Sequence, residues 1–149
     1  MEYPIIERQT KPNGKSAIWV RFQPGGEAEQ VLPHHWIGFD FDGVLSVPDP
    51  TKPFSLDELG LPVGQFVDAA KRFLAAGVTV KVFTARACDP DMIPRIQDWT
   101  EHNGLGRLEV TNAKGYQALR YYDDRAIQVV WNPQFTKVGL VKDNGGEIV

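Results

Sequence analysis

A chain of 149 residues, 42% hydrophobic and 23% charged, is long enough to bury one core and short for two, so one domain over 1–149 is expected. A formal charge of −3 leaves no excess of Lys and Arg for a sequence-blind grip on nucleic-acid phosphates, with a local basic patch still open. The single cysteine, Cys88, excludes an internal disulfide, a CxxC redox pair and a thiolate zinc cluster, and neither a membrane-spanning apolar run nor a signal peptide is present, so a cytoplasmic protein with no membrane contact is expected.

Within residues 1–35 the one strong strand signal is Ala17 to Phe22 (AIWVRF), set between the turn-like PNGKS and QPGGE, which predicts an N-terminal hairpin or β extension. From Trp36 the texture changes. The short apolar run WIGF stops at acidic residues, as a central parallel strand covered on both faces would. Residues 46–63, rich in Pro, Asp and Ser, predict a loop or short flap. Gly64 to Ala76 carries Phe66, Ala70, Phe73 and Leu74 at helical spacing and ends at Gly77, a suitable residue to follow a helix. Val78 to Phe83 predicts a strand, and Asp89-Pro90 an N-cap and first-turn pair for a helix bearing Ile93, Ile96 and Trp99. Leu108 to Thr111, Leu119 to Tyr122 and Ile127 to Val130 predict further strands, Ala113 to Leu119 a turn or two of helix, and the end, KDNGGEIV, a closing hairpin. This alternation over the motif-bearing core, 36–130, predicts an α/β fold: a Rossmann-like three-layer sandwich with a central parallel sheet and helices on both faces. In such sheets ligands bind beyond the carboxyl ends of the strands.

Chemistry gathers at those ends. Asp40 and Asp42, one residue apart at the mouth of a buried strand, are costly to desolvate and repel each other, so they call for a cation or a reaction. Gly43 then allows a sharp turn. Thr84 ends the run VKVF, Asp123-Asp124 ends LRYY, and Lys114 follows the Leu108 to Thr111 strand. Any one of these features alone is commonplace; the set in this order is specific.

The series D-x-D-G-V-L (40–45), a strand-terminal Thr84, Lys114 and the strand-terminal Asp123-Asp124 resembles the motif set of the haloacid dehalogenase superfamily, over Trp36 to about Val130. The short interval from Lys114 to Asp123, with VTNAKGYQALRYYDDRAIQVV, is similar to the 5′-deoxyribonucleotidases and to small phage and bacterial members. The resemblance implies that fold with a minimal cap, and a Mg²⁺-dependent phosphatase that passes through an aspartyl-phosphate. Asp40 would then be the nucleophile and Asp42 the general acid and base. Mg²⁺ would be held by Asp40, the Asp42 backbone carbonyl and Asp123 or Asp124. Thr84 and Lys114 would bind the transferring phosphate.

Arg86, two residues after Thr84, is a candidate for substrate phosphate or base, with an ion-paired surface Arg equally open. Lys52, Phe54 and Asp57 in the flap could meet substrate, although solvated loop residues are the ordinary case. Cys88 and Arg95 are six residues apart inside, where a cysteine-phosphatase loop needs five, and His34, His35 and His102 lack metal-ligand spacing. With no room for an inserted cap, the site is expected to be open and to suit a nucleotide, a nucleic-acid terminal phosphate or a site covered by a second subunit in a homo-oligomer. The competing expectations are a phosphatase of a sugar or other small metabolite, and a non-catalytic phosphate-binding module.

Overall fold

The computed structural model describes residues 2–132 and 137–140. It divides into two compact units, 31–124 and a second formed by the residues up to Gln30 with those from Arg125 on. In chain order the elements are β1 (Ile5–Thr10), β2 (Ser16–Arg21), β3 (Glu29–Val31), β4 (Trp36–Phe39), β5 (Ser46–Val47), β6 (Leu61–Pro62), α1 (Gly64–Ala75), β7 (Thr79–Phe83), a 3-10 turn Ala85–Cys88, α2 (Met92–His102), β8 (Glu109–Thr111), β9 (Ala118–Tyr122), β10 (Val129–Asn132) and β11 (Lys137–Leu140).

The N-terminal hairpin is present: β1 and β2 pair antiparallel from Ile5↔Arg21 to Thr10↔Ser16, across the turn at Asn13-Gly14, and the sheet order is β1-β2-β3. In the same unit β10 and β11 form an antiparallel pair. The expected hairpin at KDNGGEIV lies outside the described residues.

In the unit 31–124 a four-stranded sheet runs β8-β7-β4-β9 with all neighbours parallel. All four residues of β4 are buried, as the run WIGF predicts for a strand with a neighbour on each side. Strand alternation sends Ile37 and Phe39 to one face with Val80 and Val82, their partners in β7. On that face Phe39 meets Phe73 of α1 (6.2 Å between ring centroids) and stacks on Tyr122 (4.4 Å), while Phe41, just past the strand, meets Trp99 of α2 (4.9 Å). Both helices therefore cover the same face. The helix α1 buries Val67, Ala69, Ala70 and Phe73, and Gly77 follows it with φ 86°.

Here the expected fold class is corrected. Among the described residues the protein is a small mixed-sheet structure with two α-helices of 12 and 11 residues and antiparallel β1-β2, β5-β6 and β10-β11 pairings, not a helix-rich three-layer sandwich with helices on both faces. The missing layer has a geometric cause. The strands β8 and β9 stand at opposite edges of the sheet, three inter-strand spacings of about 4.8 Å apart. Residues 112–117 must cover that width and also return to the start of a parallel strand. A helix rising about 1.5 Å per residue is too short for that, so the one or two helical turns expected over Ala113 to Leu119 are replaced by bends and a tight turn closed by Ala118 N–H to Gly115 O at 3.1 Å. The link instead crosses the sheet against Trp36: a Cβ on Gly115 would lie 2.7 Å from that ring, and Trp36 N–H donates to Gln117 O at 3.2 Å. Trp36 packs edge-on against Tyr121 and carries the Lys81 ammonium 4.7 Å from its ring centre, so side chains and a loop take the place of helices there.

The helix α2 is regular from Met92, and ahead of it the Asp89 carboxylate accepts from Asp91 N–H at 3.0 Å, the bond expected of an N-cap side chain.

Candidate functional site

Since β4, β7, β8 and β9 are parallel, their carboxyl ends share one edge, and the register decides which residues meet there. Phe39 pairs with Tyr122, so the next residues, Asp40 and Asp123, leave the sheet side by side; Asp40 N–H donates to Tyr122 O at 2.9 Å. Asp40, Asp123 and Asp124 each offer a carboxylate oxygen within 4.8 Å of the other two. Asp40 is half-buried, and its carboxylate takes only one backbone donor, Phe41 N–H at 2.8 Å. Burial pushes its pKa up to about 7, with Asp123 and Asp124 adding to the rise against the opposing pull of that donor. Asp40 has no ion-pair partner among the described residues.

Gly43 makes this convergence possible. Its φ is +83°, a conformation that suits glycine, and a Cβ there would sit 2.4 Å from Asp124 Oδ2. The turn after the D-x-D is thus the floor on which Asp124 rests. The turn is legible in D-x-D-G and its contact is not, since nothing local ties Gly43 to a residue 81 positions later.

Asp42 faces elsewhere. Its carboxylate is held by Arg86 in a two-pronged ion pair, Nε to Oδ2 at 2.7 Å and Nη2 to Oδ1 at 2.9 Å. Thr84, buried at the end of β7, accepts from Arg86 N–H at its Oγ1 (3.1 Å) and keeps its own hydroxyl proton to donate. Lys114 lies exposed in the crossing link 112–117 and forms no ion pair among the described residues. The geometry thus gathers Asp40, Asp123 and Asp124, places Asp42, Thr84 and Arg86 in a second linked group, and gives Lys114 no ion pair with either.

The segment 48–60 forms one wall of a cleft whose other side includes Asp42 and Arg86; Asp40, Asp123 and Asp124 do not line it. Lys52 and Phe54 do, and Phe54 is 73% exposed. The base of the segment is pinned through its backbone. Each carbonyl from Leu56 to Gly60 accepts from a side chain: Leu56 from Arg86 Nη1 (2.8 Å), Asp57 from Arg95, Glu58 from Arg86 Nη2 (3.5 Å), Leu59 from Ser46, and Gly60 from Trp99 Nε1 (3.1 Å). The flap is legible in its Pro, Asp and Ser content but this anchoring is not, because donors from β5, the 3-10 turn and α2 meet it only in three dimensions.

Cys88 is exposed and free, and stands at the end of the 3-10 turn. No helix among the described residues is long and apolar enough to cross a membrane. Comparison with known proteins gives no family model, no curated protein and no solved structure that matches the chain.

Proposed function

We propose that the protein is a Mg²⁺-dependent phosphatase that hydrolyses a phosphate monoester by way of an aspartyl-phosphate on Asp40, with a nucleotide or a nucleic-acid terminal phosphate as substrate. The observation that carries this reading is the convergence of the Asp40, Asp123 and Asp124 carboxylates at the carboxyl edge of a parallel sheet. It matches the resemblance of the motif order to the haloacid dehalogenase superfamily. An all-oxygen donor set suits a hard divalent cation, and Asp40, uncompensated and pushed up to about 7, gains a counter-charge when one binds. Asp40, Asp123 or Asp124 and the Asp42 carbonyl would hold Mg²⁺, which supplies charge neutralisation for an incoming phosphate dianion.

The chain's own groups then divide the work. The Asp40 carboxylate attacks phosphorus in line, and the P–O bond to the leaving group breaks as the bond to Asp40 forms. Asp42 gives its proton to the departing oxygen and later takes one from the water that cleaves the acyl phosphate. Thr84 donates its hydroxyl to a phosphate oxygen. Lys114, exposed and in no ion pair among the described residues, would supply a positive charge to the transferring phosphate.

The test is phosphate release from a panel of nucleotides, 5′-phosphorylated oligonucleotides and sugar phosphates, with and without Mg²⁺. Release that depends on Mg²⁺ and falls to background in Asp40→Asn is expected. Equal rates in that variant remove Asp40 from the chemistry, and preference for sugar phosphates moves the substrate to small metabolites.

A further inference from the structure

We propose that Arg86 is a positioning residue that ties the orientation of Asp42 to closure of the 48–60 segment, rather than a ligand for substrate phosphate. This rests on the reading of Asp42 as the acid that protonates the leaving group.

The guanidinium is committed on every side. Its Nε and Nη2 edge takes both oxygens of Asp42, and Nη1 reaches Leu56 O at 2.8 Å, with Nη2 also 3.5 Å from Glu58 O. One planar group therefore sets the carboxylate's plane and holds the flap's backbone together. The backbone of Arg86 is fixed in turn by Thr84 Oγ1, and its side chain is 15% exposed against 55% for Asp42, so the fork is held from behind while the carboxylate it grips stays open to the cleft. Asp42 lines the cleft beneath the flap, so a leaving group seated in that cleft would be within its reach to receive a proton. Opening the flap at Leu56 and turning Asp42 out of line are thus one event. A lysine keeps the charge but cannot bond a carboxylate through two parallel N–H groups and a carbonyl through a third direction at once.

Arg95 separates the two halves of this claim. It holds only Asp57 O in the same segment and has no bond to Asp42.

The experiment compares full-length wild type, Arg86→Lys and Arg95→Gln, all with Mg²⁺. Amide hydrogen exchange over residues 46–61 is measured without substrate. Turnover is measured on 4-nitrophenyl phosphate, whose leaving group departs without a proton, and on an alkyl phosphate, whose leaving group needs one. Arg86→Lys is expected to speed exchange in the segment about tenfold or more. It should also lower kcat/KM, which covers the steps through departure of the leaving group and not the later attack of water, by at least about tenfold on the alkyl ester while changing that on the nitrophenyl ester by less than about threefold. Arg95→Gln should speed exchange and keep the wild-type ratio of the two rates. Should Arg86→Lys fail to fold, Arg86→Gln is read by the same thresholds. Unchanged exchange in the Arg86 variant, or equal losses on both esters, overturns the proposal. If the wild type hydrolyses neither ester, the phosphatase reading and the catalytic half of this proposal both fall, and exchange alone decides whether Arg86 holds the flap.

Discussion

Asp40 stands at the end of a strand buried on both sides, and that placement alone raises its pKa: solvent is withdrawn while two further carboxylates are brought to within 4.8 Å. The consequence for stability has a definite sign. A carboxyl raised from 3.8 to about 7 on folding binds its proton more tightly in the folded state. Its contribution is therefore full below the unfolded value and lost as pH rises through about 7. The metal-free protein is expected to lose thermal stability from this group between pH 4 and pH 8, and Asp40→Asn to flatten that slope; a slope equal in the two proteins contradicts the assignment. Gly43→Ala is a sharper probe of geometry. Positive φ costs about 1–2 kcal/mol for a residue with a Cβ, and the added carbon meets Asp124 Oδ2. Reduced stability with a loss of phosphate release larger than that fall explains is expected; wild-type turnover would show that Asp124 need not rest there. The carboxylates and Thr84 could be read from sequence because each ends a recognisable apolar run. The partner of Asp42 could not, since Arg86 lies 44 positions away and reaches it only through the turn that Thr84 caps.

The strand β4 and the helix α1 illustrate where local pattern suffices. WIGF is apolar at every position because both faces of a central strand are covered, and the helical spacing of Ala70 and Phe73 follows from facing one side of a sheet. Phe73 is fully buried against Phe39 and Tyr122. Phe73→Ala is expected to cost about 3–5 kcal/mol in denaturant unfolding, and a loss below about 1 kcal/mol would mean that α1 does not seal this face. The second helical layer could not be found the same way. Alternating elements say which segments are strands but not their order across the sheet. With β8 and β9 at opposite edges, the six-residue link 112–117 is too short to cross as a helix, and it carries Lys114.

The parts that make the site come from three places in the chain, Asp40 to Gly43, Thr84 to Arg86 and Asp123-Asp124, brought together by one parallel sheet. A cation bound among β4 and β9 residues therefore links segments more than 80 positions apart and should stabilise the folded state by mass action. Addition of millimolar Mg²⁺ is expected to raise Tm in the wild type at pH 8 and to do so less at pH 5, where protons compete for Asp40; no shift at either pH would speak against a cation there. The decisive measurement is a crystal structure with Mg²⁺ and tetrafluoroberyllate. The account predicts a BeF₃ group bonded to the Asp40 carboxylate, with Mg²⁺ between it and the Asp123-Asp124 pair; a BeF₃ group on any other residue, or a site that takes up neither species, would contradict it.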